Sequence, residues 1–234
     1  MKPYQSTRQW THPEGYKYLA PWTNTVLLRF LIRKFTEELP RSEYRSKTQL
    51  DDAGRSVVSN IEEGYKRPTT KEYLDFIGFS QGSLEEIKGL IRQAYQDRFL
   101  KSKSGSNLTG LGIDLKEFKG RLGDFKGGDS KGGDSKGGDF KGWVPLEVLY
   151  PPLASLKGAD LTLEIFIELI NKTDWLLRQT VTSLEKKMAE EMPMSAQEKW
   201  LKAQMERRFE EDRKIDEELR KMAGRRFNEK LKKE

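Results

Sequence analysis

Few residues in this chain have the types and spacings that chemistry needs. His12 is the single histidine, beside Pro13 in an irregular stretch broken by Pro3 and Gly15. An imidazole becomes a proton shuttle when a neighbour sets its tautomer and pKa, and no carboxylate pattern surrounds this one. With one histidine, the paired Glu-x-x-His motifs of a bundle metal site cannot be built. Without cysteine there is no thiolate ligand or thiol nucleophile. Ser80 and Ser83 have only Lys88 nearby as a base, with no supporting pattern. The acid pairs Asp51-Asp52, Glu62-Glu63 and Glu85-Glu86 are sequence neighbours on helices, so their side chains diverge. No strand precedes a glycine-rich loop, so no phosphate cradle is expected. The chain is expected to be non-enzymatic, with no metal and no cofactor.

Binding remains. Phosphate contact needs distributed cations, with arginine favoured for its fork of donors. Arg29, Arg33 and Lys34 on a first helix, Arg55 on a second, Lys66, Arg67 and Lys71 around a bend, and Lys88 and Arg92 on a third form such a set. Acidic neighbours dilute each group, and repetition around an oligomer would multiply the field. RNA or DNA, bound without sequence reading, is the expected partner.

The bulk numbers agree with a mild preference of this kind. The 234 residues carry 43 lysines and arginines against 37 acids, a net charge of +6, with pI near 9.2. That balance permits polyanion binding without demanding it. Charged residues make up 34% of the chain and the mean hydropathy is −0.80, so much of it must be solvated. Apolar residues concentrate in 19–40, 50–95 and 144–184, which must supply the core. No apolar run is long enough to span a bilayer and no signal-type start is visible. A cytoplasmic protein is expected.

Helices must position these groups. Ser46 and Gln49 read as a capping box, followed by a stripe of Leu50, Ala53, Val57, Ile61 and Gly64. Asp51, Asp52, Arg55, Glu62 and Glu63 fall outside it. Gly64 is expected to end this helix in the left-handed conformation, with Pro68 blocking continuation. Thr69 and Glu72 form a second box, opening a helix with the stripe Tyr73, Phe76, Ile77, Ser80, Leu84, Ile87, Ile91 and Ala94. The two should close as an antiparallel hairpin over a bend of about five residues. Gly78, Gly82 and Gly89 each cost about 1 kcal/mol against alanine in a helix, which predicts close backbone packing there.

Before the hairpin, Thr23 or Asn24 caps a helix running to about Leu39 and stopped by Pro40. Its residues Leu27, Leu28, Phe30, Leu31, Ile32, Phe35 and Leu39 make it apolar over more than one face. Trp10, Tyr16 and Tyr18 should pack the N-terminal segment onto the body. After the hairpin, Asp160 caps a helix with the stripe Leu163, Phe166, Ile170, Thr173, Leu177, Val181 and Leu184, reaching about Glu191 before Pro193. Between them the composition turns to Lys, Ser, Gly and Asn. Residues 123–142 are four copies of Gly-Asp-(Phe or Ser)-Lys-Gly, a neutral, flexible polyampholyte. Ser195 and Glu198 open a charged suffix helix from Ala196 toward Lys232, with a thin apolar seam.

The chain thus reads as residues 1–100 with three bundle helices, a linker at 101–142, a connector and fourth helix at 143–192, and the suffix at 193–234. The fold class is all-α, an up-and-down antiparallel four-helix bundle.

Ser59-Asn60-Ile61-Glu62-Glu63-Gly64-Tyr65-Lys66-Arg67, followed by Ser80-Gln81-Gly82-Ser83-Leu84-Glu85-Glu86, resembles the four-helix-bundle proteins encoded in intervening sequences of large-subunit ribosomal RNA genes. Those carry a Ser-Asn-Ile-Ala-Glu-Gly-like motif before an arginine, then Gly-Ser-Leu-x-Glu one helix later. The likeness covers about 20–97 and, more loosely, 159–185. The same family includes the accessory variability determinant of diversity-generating retroelements. The resemblance implies a bundle that assembles as a pentameric barrel and a basic surface for nucleic acid. For a retroelement member it also implies a reverse transcriptase partner. Glu62 stands where the motif has alanine, and compact members lack the repeats and the suffix. A second expectation is a protein-interaction scaffold whose suffix helix docks a partner.

Overall fold

A computed structural model of the chain describes residues 14–124 and 144–191, with 204–205, 207–211, 213 and 217 beyond them. The chain divides into two units, Met1–Glu190 and Glu191–Glu234. The first is an all-helical bundle of α1 (Ala20–Glu37), α2 (Tyr44–Lys66), α3 (Thr70–Gln96), α4 (Leu115–Asp124), the single-turn α5 (Leu146–Leu149) and α6 (Leu163–Glu191). In the second, the described residues are helical and exposed, Met205 and Phe209 among them. Trp10, His12, most of the pentapeptide tract and the Ser195-Glu198 cap lie outside the described residues.

Side-chain bonds fix the direction of each helix. Thr36, late in α1, donates its hydroxyl to Asp51, early in α2 (3.0 Å). Trp22, early in α1, donates to Glu62, late in α2 (2.8 Å). These two helices are therefore antiparallel. The α2–α3 pair is antiparallel as well: buried Ser80 donates to the Val57 carbonyl at 2.9 Å, and Gly64 abuts Tyr73 and Phe76. α6 starts at the end where α3 finishes, with the Leu163 amide on the Lys101 carbonyl (2.9 Å) and Phe166 edge-on to Phe35 of α1. The four long helices alternate up and down as expected.

The apolar stripes close into one core. Leu27, Leu31, Val57, Ile61, Ile77, Ile87, Ile91, Phe166 and Ile170 are buried in it, and burying each such side chain contributes about 1.5–3 kcal/mol against leaving it exposed. The Thr69–Glu72 capping box forms in full.

Several local expectations are corrected. α1 starts at Ala20 with Pro21 in its first turn, and Thr23 and Asn24 are buried inside it; the fixed φ of Pro21 suits a first turn without a side-chain cap. α2 starts at Tyr44, and Ser46 donates instead to the Glu43 carboxylate at 3.0 Å. Gly64 does not end α2, which continues to Lys66, and its φ is not among the positive ones. A Cβ on Gly64 would sit 2.6 Å from Phe76 Cβ and 2.9 Å from Tyr73 Cδ2, so the glycine serves helix contact. The opposite holds for Gly78, Gly82 and Gly89, whose missing Cβ atoms would meet nothing within 4 Å. They lie on the open side of α3.

Residues 101–124, grouped with the linker on composition, are folded. Leu108, Ile113, Phe118 and Leu122 enter the core. Tyr150, fully buried, holds this segment by donating its hydroxyl to the Gly112 carbonyl (3.2 Å) and accepting from the Asp114 amide (2.9 Å). Two carboxylates of α6 hold the start of it. Glu164 accepts from the Ser102 hydroxyl and the Lys103 amide, and Glu168 accepts from the Leu108 amide at 2.8 Å.

Candidate nucleic-acid interface

The cations expected to act together fall into three places. Lys66, Arg67 and Lys71 surround the α2–α3 bend, while Lys88 and Arg92 sit near the far end of α3. Lys71 and Arg92, twenty-one residues apart on one helix, are separated by about 31 Å at 1.5 Å per residue. No single patch joins the bend to the far end of α3. Arg29, Arg33 and Arg55 form the third group. A Cβ on Gly54 would lie 3.8 Å from the Arg29 backbone, so α1 passes close to α2 beside Arg55, and the Thr36–Asp51 bond continues that contact past Arg33.

Their availability differs. Lys34 is half-buried, paired with Glu147 at 2.9 Å and lying over the Phe30 ring; it holds the connector to α1, where Gly158 also meets the Lys34 carbonyl. Arg67 packs its guanidinium on the Phe76 ring, 4.3 Å from the centroid, and reaches Glu63 at 3.6 Å. Its Nε is buried with no hydrogen-bond partner. Lys88 pairs with Glu85 at 3.3 Å, and Lys66 lies over the Tyr16 ring. Arg55 makes only a long, exposed pair with Asp52 (3.8 Å), which contributes little. Arg29, Arg33, Lys71 and Arg92 are exposed.

Beside the Arg29–Arg33–Arg55 group an open cleft of about 600 Å³ lies at the start of α2, lined among others by Pro40, Arg41, Tyr44, Lys47, Asp51 and Arg55. The turn Arg41–Glu43 and the first turns of α2 position these side chains. Asp51 is engaged by Thr36 and Asp52 by Arg55, so the lining cations Arg41, Lys47 and Arg55 exceed the lining acids Asp51 and Asp52 by one charge. The residues that the sequence singles out for phosphate contact do not include Arg41, Tyr44 or Lys47. The signal was present, since cations alternating with an aromatic after Pro40 is a nucleic-acid pattern, but it fell between two apolar stripes.

Among the described residues no group of three or more His, Asp and Glu could hold a metal ion, and no helix is long and apolar enough to cross a membrane. Tyr16, whose hydroxyl titrates at about 12, is raised by burial first, then by Glu62 and Glu14. It remains a neutral ring beneath Lys66.

Residues 17–117 match the family model of the 23S rRNA-intervening sequence protein. Over that stretch the chain is similar to this family. The matched segment holds α1, α2, α3, the cleft and residues 101–117. It also contains the Trp22–Glu62 bond, which gives the carboxylate a partner where the motif has alanine. No curated protein and no solved structure gives a significant match to the chain.

Proposed function

We propose that this chain is a non-enzymatic nucleic-acid-binding accessory protein that contacts phosphates through the α1–α2 face. The observation that carries this is the exposure of Arg29, Arg33 and Arg55 next to a cleft that adds Arg41 and Lys47. Cations on rigid helices give a non-specific phosphate surface, since phosphate contacts position a protein without reading bases. The name of the family supports RNA as the first ligand to try. Homo-oligomeric assembly and, in a retroelement setting, support of a reverse transcriptase are parts of the same proposal and rest on the family resemblance, whereas the cytoplasmic location rests on the sequence pattern alone. Titration with a structured RNA at about 50 mM and again at about 200 mM salt tests it, because neutralising several phosphates makes affinity fall steeply with salt. Absence of binding at the lower salt defeats the proposal.

A protein-interaction role is the second reading, favoured by the open side of α3. Phe79 is 60% exposed beside a shallow dish of about 430 Å³ lined by Leu74, Phe76 and Gly78 among others. Capture of a co-expressed reverse transcriptase that survives both Phe79→Ser and deletion of 193–234 counts against it.

A further inference from the structure

We infer that the cleft at the start of α2 takes unpaired nucleotides, with Tyr44 as the platform on which a base stacks. This rests on the nucleic-acid reading of the same face and adds the class of ligand. Tyr44 is 73% exposed, the most exposed tyrosine among the described residues, while Tyr16, Tyr73 and Tyr150 are buried in the core. Its ring takes part in none of the ring–ring or cation–ring contacts among the described residues. It stands in the first turn of α2, its carbonyl accepting from the Thr48 hydroxyl at 2.9 Å.

Tyr44, Thr48, Asp51 and Arg55 recur at helical spacing and all line the cleft, with Arg41 and Lys47 also in its wall. The run from Tyr44 to Arg55 is about 16 Å long at 1.5 Å per residue. An aromatic face flanked by cations is how single strands are held without sequence preference, the base on the ring and its phosphates on the flanking groups. A duplex offers its phosphates equally well, but its bases are already stacked on one another. Tyr44 therefore adds affinity for single strands alone, and the cations add it for both.

The test compares an oligouridine of about 20 nucleotides, long enough to cover one such site, with an RNA duplex of matching length. Binding is followed by fluorescence anisotropy on the full chain. Tyr44→Ala is expected to weaken oligouridine binding about 5- to 150-fold, the range for loss of one base–aromatic stack, and to leave duplex binding unchanged. Tyr44→Phe, which keeps the ring, should bind like the parent. Equal loss for both probes, or loss for neither, overturns the stacking role while the phosphate-binding function stands. If the parent protein binds neither probe, the function itself fails and this inference falls with it. Tyr44 is exposed and outside the core, so the alanine variant should keep the parent's circular dichroism melt.

Discussion

The indole Nε1 of Trp22 donates to the Glu62 carboxylate at 2.8 Å, joining the first turn of α1 to the last turns of α2. Trp22 is only 6% exposed, so the bond spans a largely buried site between two helices that carry the proposed phosphate surface. Removing the acceptor leaves a desolvated N–H, which costs about 1–3 kcal/mol. Glu62→Ala should lower the free energy of unfolding in urea by that amount, and Glu62→Gln should restore most of it. In Trp22→Phe the Glu62→Ala penalty should shrink, since the donor is gone. Equal penalties in both backgrounds would mean the bond contributes nothing.

The two kinds of glycine should respond in opposite directions. Gly64→Ala places a methyl 2.6 Å from Phe76 Cβ, and overpacking of this kind costs about 1–3 kcal/mol. Gly82→Ala has open space and replaces the poorer helix former, a gain of up to about 1 kcal/mol. Thermal melts of the two single variants would read the difference directly.

Acid should loosen one seam first. Burial alone would raise the Glu164 carboxyl, but hydrogen bonds from Ser102 and the Lys103 amide outweigh it and bring the group from 4.5 down to about 2. A lowered folded-state pKa stabilises the protein above the unfolded value, and that contribution disappears as pH falls from about 4.5 toward 2. Glu164→Gln should flatten the acid limb of the stability profile over this window. Amide exchange at Lys103 should rise before that of the α2–α3 core, and an unchanged acid limb would remove Glu164 from the explanation.

Much of the fold was legible in the sequence and rather less of the site. Apolar stripes of period 3.6 located α2, α3 and α6, because core burial fixes one face of each helix. Glycine defeated the same method. Gly64 before Lys66, Arg67 and Pro68 has the look of a terminator, and only the position of Phe76 across the hairpin reveals a packing contact. Gly78, Gly82 and Gly89 have the spacing of close packing, yet they face outward. In 101–124, Leu108, Ile113, Phe118 and Leu122 were diluted by polar neighbours, although they bury as deeply as the stripes. Cations along one helix can be counted from sequence. Which cations meet across helices depends on the crossing at Gly54 and Arg29, which sets Arg29 beside Arg55, while Lys71 and Arg92 stand at opposite ends of α3.

The central claim, that phosphates are held on the α1–α2 face, is tested most directly by the salt dependence of RNA binding in two variants. Arg41→Ala/Lys47→Ala/Arg55→Ala removes the cleft cations, and Lys71→Ala/Arg92→Ala removes exposed cations that do not line it. Each lost phosphate contact lowers the slope of log K against log salt by about 1. The account predicts a slope reduced by about 2–3 in the triple variant and unchanged in the double. A triple variant with the parent's slope, or a double variant carrying the loss, would contradict it.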